Sequence, residues 1–236
     1  MISFFNKCTA IITPSEAMRK ELITRGLKKE IYAVSNGIDI KKFPYSKRKK
    51  RKPTFISTSR LVESKHIDTL LKAFSIFKKR GVEGEFIILG KGPEEKKLKE
   101  YTIKNKLSEY VQFKGFVNPE TIIKEYQKSD AFLTASTIET EGITTLEAMS
   151  TGLPVIGVDA RATPLLVKKG TGFIAPVGDE KKIAEYMEKL AKDYKLRQKM
   201  GKAASKIAEK YELKKMNKKL YETYKKVIDD YKKQLH

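Results

Sequence analysis

The sequence predicts an α/β fold, a Rossmann-like parallel sheet flanked by helices. Short apolar runs such as Thr54-Phe55-Ile56-Ser57-Thr58 and Glu85-Phe86-Ile87-Ile88-Leu89 lack polar alternation, as strands buried on both faces do. Segments with helical spacing separate these runs, and strands alternating with helices imply a parallel sheet covered on both faces. The composition permits it: 236 residues, 40% hydrophobic and 33% charged, can bury a core in one large or two small domains.

Taken in order, Cys8 to Thr13 reads as a buried strand. Pro14 and Ser15 then open a helix through about Arg25, which Gly26 stops. Ile31-Tyr32-Ala33-Val34 is a second strand, and Asn36-Gly37 a turn that favours positive φ. After a basic stretch, Lys41 to Lys52, the strand at Thr54 begins a second unit. Apolar residues at Ile67, Leu70, Leu71, Phe74 and Phe77 predict an amphipathic helix through Arg80. The strand at Glu85 ends in Gly90-Lys91-Gly92-Pro93, a turn into a helix over 94–104. A strand from Val111, a helix over 119–127 and a strand from Ala131 follow. Later come a strand at Gly172 and helices over 179–193, 196–210 and 213–233.

Bulk properties narrow the function classes. No apolar run is long enough to span a bilayer, and Met1 to Phe5 shows no cleavable signal pattern. One cysteine excludes an internal disulfide framework and fits a reducing, cytoplasmic setting. With two histidines it makes no metal-ligand cluster. The net charge is +21, and eighteen of those charges come from Lys41–Lys52 and Lys189–His236. A lysine-rich compositional bias explains this as well as an anionic membrane surface, nucleic acid or anionic substrates do.

The stretch from Ser136 to Asp159 carries the chemistry. It reads as strand end, polar turn, helix from Gly142, glycine stop at Gly152 and strand over 153–158. Glu139 and Glu147 have seven residues between them. The unpaired N–H groups near Gly142, Ile143 and Thr144 suit a phosphate, and a glycine lets a ligand come close. Glu147, about one turn inside, can accept hydrogen bonds from hydroxyls. A diphosphate between two carboxylates has the outline of a nucleotide sugar. By spacing alone a surface loop with a solvated glutamate fits equally well. Arg60, Lys65, Gly90, Gly115, Glu139 and Gly142 all follow predicted strands, on the sheet edge where such folds bind ligands.

These residues resemble the signature of the family 4 retaining glycosyltransferases of GT-B fold: a glutamate, seven residues, a second glutamate, then Ala-Met, a small residue and Gly-x-Pro-Val. The local form Glu139-Thr140-Glu141-Gly142-Ile143-Thr144 is similar to the Glu-Thr-Gln-Gly-Leu-Thr of glycolipid-forming members. Ser59-Arg60-Leu61 with Lys65-His66 matches the family's Gly-Arg-Leu and Lys-Gly in its charges but not in its two glycines. Asp159-Ala160-Arg161-Ala162 departs from the usual Gly-Gly segment. The resemblance implies the C-terminal half of a GT-B fold. Residues 1–40 would end an N-terminal acceptor domain and form the hinge, 41–52 a basic linker, 53–210 the nucleotide-sugar domain and 211–236 a helix returning to the first domain.

The resemblance also implies function. Glu139, Arg60 and Lys65 would act at the reaction centre, the two cations neutralising a diphosphate leaving group. Glu147 would hold the ribose, with Gly142, Ile143 and Thr144 at the diphosphate. The backbone after Gly115, at Phe116, Val117 and Asn118, would face the base, and Gly115, Gly90 and Gly92 would belong to the donor pocket. The expected reaction is hexose transfer from a nucleotide diphosphate sugar, UDP-glucose first, with GDP-mannose and UDP-N-acetylglucosamine as alternatives. The acceptor would be a lipid or saccharide. The nucleotide sugar is a substrate, and neither a cofactor nor a metal is expected. The setting would be cytoplasmic, peripheral on the inner face of the cell membrane. The missing acceptor domain would lie in the same chain or a separate subunit. A basic nucleic-acid- or membrane-binding module explains the charge but not the paired glutamates. A GT-B sugar epimerase shares the fold but not this spacing. No nucleic-acid partner is expected.

Overall fold

The computed structural model describes residues 2–48 and 51–233. Lys49 and Lys50 of the basic stretch, Met1, and residues 234–236 at the end of the expected terminal helix lie outside them. A short helix α1 (Ile2–Phe5), unforeseen in the sequence, precedes β1 (Ala10–Thr13), α2 (Glu16–Thr24) and β2 (Glu30–Ala33). Next come β3 (Thr54–Thr58), α3 (Ile67–Lys79), β4 (Glu85–Leu89), α4 (Glu95–Lys104), β5 (Val111–Gly115), α5 (Pro119–Lys128) and β6 (Ala131–Leu133). The rest is α6 (Ile143–Ser150), β7 (Val155–Val158), α7 (Thr163–Leu166), β8 (Gly172–Ala175), α8 (Glu180–Lys192), α9 (Tyr194–Ala208) and α10 (Leu213–Lys233). The short α7 was not expected: Pro164 in its first turn begins a single turn of helix.

β1 and β2 pair in parallel. The other six strands form one parallel sheet in the order β5-β4-β3-β6-β7-β8. The chain steps outward from β3 to β4 and β5, then returns to the other side of β3 with β6. The crevice between β3 and β6 is therefore the switch point of a doubly wound sheet, where loops diverge and a ligand can enter.

Successive strand residues serve opposite faces, so each face builds its own core. On one face Phe55, Phe86 and Ile88 pack with Leu70, Leu71, Phe74 and Phe77 of α3 and with Ile183, Met187 and Leu190 of α8. On the other, Ile56, Ile87, Leu89 and Phe132 pack with Tyr126 of α5, Leu146 and Met149 of α6, and Ala204 of α9. Helix ends follow their sequence signals. Ser15, Asn118, Asp179 and Asp193 accept hydrogen bonds from first-turn N–H groups, and Gly152 ends α6 at φ 86°.

The basic stretch is not wholly a solvated linker. Arg48 is buried and donates to Tyr126 O, Gln127 O and Thr151 O. Its own carbonyl accepts from Tyr194 and Gln198 of α9. Burial lowers its guanidinium to about 10, and the Asp130 carboxylate opposes that fall. Asp130, fully buried, accepts from Thr54 N–H at 2.9 Å and faces Arg51 at 3.4 Å. Thus part of the positive charge is used at the amino-terminal edge of the sheet, where β3 and β6 begin.

Candidate active site

Two loops meet at the switch point, those after β3 and β6. After β3 the chain passes Ser59 and Arg60 into a 3₁₀ turn, Glu63–Lys65. His66 ends that turn at φ 49°, in the left-handed region where the resembled pattern has glycine. Its side chain compensates by meeting Thr137 Oγ1 at 3.2 Å, in the loop after β6. Thr137 N–H in turn donates to Ser64 O at 3.3 Å. The backbone geometry therefore survives the loss of the glycine.

Lys65 Nζ lies 2.8 Å from Glu139 Oε2 and 3.3 Å from Ser136 Oγ. This ion pair spans the crevice between the β3 and β6 loops. Arg60 stands exposed on the same rim. Gly142 precedes α6 at φ 85°, and a Cβ there would lie 3.7 Å from Glu139 Cγ, so the helix starts beside Glu139. The space beside Gly142 is taken up, however: a Cβ there would lie 2.6 Å from Leu166 Cδ1. The glycine is thus required by its backbone angle and by Leu166 of α7.

Glu147 sits one turn into α6, mostly buried. Burial pushes its carboxyl up to about 7, and among the described residues no basic side chain offsets that shift. Tyr126 lies beneath the same helix. Its phenol reaches Thr144 O at 3.5 Å and is pushed upward by burial and by the Glu147 charge.

Beside this crevice, at the carboxyl ends of β3, β4 and β5, a cavity of about 390 Å³ opens between Arg60, Gly90, Lys91, Phe116, Val117 and Ile122. That volume falls within the range of small-molecule sites. Phe116 is 82% exposed at its mouth. Gly115 turns the chain there at φ 66°, with Lys91 packed over it. Gly90 and Gly92 serve close loop packing. A Cβ on Gly90 would overlap Ser59 O, and one on Gly92 would overlap Leu61 O. Leu61 N–H donates to Lys91 O at 2.9 Å, so these glycines lock the β4 turn onto the β3 loop.

The structure therefore brings Arg60, Gly90, Phe116 and Val117 around one cavity, and Lys65, Glu139, Gly142, Ile143, Thr144 and Glu147 around the adjoining helix start. Lys91 also lines the cavity but escaped the sequence reading. A cation inside a Gly-x-Gly turn was the available signal. Glu141 escaped it as well. It is 7% exposed and accepts from Ser35 Oγ, Asn36 N and Asn36 Nδ2 at 2.5, 2.7 and 2.6 Å.

A family profile described as glycosyl transferases group 1 matches residues 39–207. The chain belongs to that family. The match takes in every strand of the six-stranded sheet and the whole of the site described above. Among group 1 relatives, the UDP-N-acetylglucosamine–peptide N-acetylglucosaminyltransferase GtfA subunit of Streptococcus parasanguinis is 37% identical over 160 residues, 65% of this chain and 31% of that protein. The alpha-monoglucosyldiacylglycerol synthase of Streptococcus pneumoniae is 31% identical over 167 residues, 65% of this chain and 38% of that protein. The chain thus spans about a third of the length of these curated relatives. In structure, the pneumococcal O-GlcNAc transferase GtfA, solved with UDP and GlcNAc, superposes at a TM-score of 0.81 with 27% identity. That superposition covers 96% of this chain and 47% of that one.

Proposed function

We propose that this chain is the donor-binding part of a retaining glycosyltransferase that uses a UDP-linked hexose. The observation that carries the reading is the Lys65–Glu139 pair across the switch point, beside the N-terminal first turn of α6. In this reading the base enters the cavity by Phe116 and Val117, and Glu147 accepts hydrogen bonds from the ribose hydroxyls. Arg60, Lys65 and the first turn of α6 share the diphosphate charge, and Glu139 faces the sugar. Dipoles and cations fixed where charge develops lower the barrier most.

In the reaction the C1–O bond to the diphosphate breaks and its electron pair stays on the leaving oxygen, where Arg60 and Lys65 hold it. The acceptor hydroxyl forms the new bond to C1 on the same face. Its proton passes to the leaving diphosphate. UDP-glucose is the first donor in this reading, and UDP-N-acetylglucosamine, named for the GtfA relatives, the second. A lipid or saccharide acceptor is kept in this reading: the glycolipid synthase among the relatives supports a lipid, whereas the GtfA relatives are named for a peptide acceptor.

Calorimetry with UDP-, GDP- and ADP-linked sugars tests the donor. Binding of UDP sugars over the others is expected, and no binding by any of them refutes the reading. No described helix is long and apolar enough to cross a membrane. A lipid acceptor would be met at the membrane surface, where the net charge of +21 favours anionic headgroups. Sedimentation with liposomes should rise with anionic lipid and fall with salt. Equal partitioning to neutral vesicles rejects membrane attraction.

A further inference from the structure

We propose that Glu141 is a positioning residue for donor binding. It would tie the connection between β2 and β3 to the loop that presents Glu139 and the start of α6. The proposal rests on the donor-site reading above.

The carboxylate is buried, yet it meets no cation among the described residues. Both oxygens are filled by neutral donors of two consecutive residues: Ser35 Oγ and Asn36 N on Oε1, Asn36 Nδ2 on Oε2. A charge removed from water and matched by three donors marks a built contact, since charge-assisted bonds are the stronger kind. The side held by Glu141 is itself rigid. Ile38 N–H donates to Tyr211 O and Leu213 N–H to Ile38 O, each at 2.8 Å. Gly37 must be glycine there, because a Cβ would lie 2.9 Å from Leu213 Cα. Both chain connections thus cross at residues 36–38, and Glu141 is pinned to that crossing.

On its other side, Glu141 is followed directly by Gly142, the residue that opens α6. Two residues earlier stands Glu139. The same loop is held from elsewhere by Ser15 Oγ donating to Thr140 O and by Ala162 N–H donating to Glu139 O at 3.2 Å. Glu141 is the member of this set whose side chain reaches the crossing. Any shift of the crossing therefore reaches the α6 N–H groups and the Glu139 carboxylate through one side chain.

The 236-residue chain can be tested with UDP by calorimetry, alongside hydrogen exchange of the ligand-free protein. Glu141→Ala should weaken UDP at least tenfold and speed exchange at Leu146–Ser150 at least tenfold, with amides 86–88 of β4 unchanged. Glu141→Gln should stay within threefold of the parent, because turning the Asn36 amide presents its oxygen to the new NH₂. Asn36→Ala should fall between, and the double variant Asn36→Ala/Glu141→Ala should be no weaker than Glu141→Ala. UDP affinity and α6 exchange within twofold of the parent in Glu141→Ala overturn the proposal. If Glu141→Ala fails to fold, the same null result in Asn36→Ala overturns it. If the parent chain binds no UDP, the donor-site reading falls, and the exchange arm alone decides the coupling.

Discussion

Replacing Glu147 by glutamine tests a carboxyl whose titration is moved well out of its ordinary range. The carboxyl is moved from its ordinary 4.5 to about 7 by burial, which corresponds to about 3 kcal/mol between its two protonation states. The sign follows from proton counting. Between pH 4.5 and 7 the folded chain keeps the Glu147 proton while the unfolded chain gives it up. This group therefore draws stability down as pH rises through that window, and the loss is complete above about 7. Glutamine cannot ionise, so Glu147→Gln escapes the loss. Urea denaturation of both proteins at pH 4.5, 6 and 8 should show the stability of the variant, relative to the parent, rising by about 2–3 kcal/mol across the series. A difference that stays flat with pH refutes the assignment of the shift to Glu147. Ligand binding should run the other way. The ionised carboxylate is the better acceptor for ribose hydroxyls, so UDP affinity of the parent should rise with pH up to about 7, and that of the variant should not.

Arg60→Ala and Lys65→Ala should each weaken UDP by roughly 1.5–3 kcal/mol, the worth of a charge-assisted hydrogen bond, as read by calorimetry. Unchanged affinity in both folded variants removes the diphosphate from this rim. Arg48→Ala should cost roughly 3–5 kcal/mol in chemical denaturation, because it strips a buried guanidinium from the carbonyls it satisfies and leaves Asp130 less compensated. A loss under 1 kcal/mol would show that Arg48 is solvated after all. Gly201→Ala lies inside α9, where alanine is ordinarily favoured by roughly 1 kcal/mol. Here the new Cβ would overlap Gly152 O, so a loss of roughly 1–3 kcal/mol is expected, and a gain refutes the close packing of α9 on the end of α6.

The sequence by itself determined the alternation of elements. Thr54–Thr58, Glu85–Leu89 and α10 occur with the bounds that local pattern predicts, because buried parallel strands are apolar runs and a helix carries its own periodicity. It also determined the paired glutamates and the glycine between them, since that spacing is a local property of one loop and one helix. The order of the strands was not legible, and with it the direct contact of Lys65 and Glu139, which the family resemblance placed only at a common reaction centre. They stand seventy-four residues apart and touch only because β6 returns to the side of β3 away from β4. Nor could the sequence tell that Arg48, one of a run of basic residues, is buried under α9, or that Glu141 rather than a solvated glutamate holds Ser35 and Asn36. Those are contacts between distant segments. A residue pattern records what each segment prefers, whereas which carbonyl or amide stands opposite a side chain is decided only when the sheet closes.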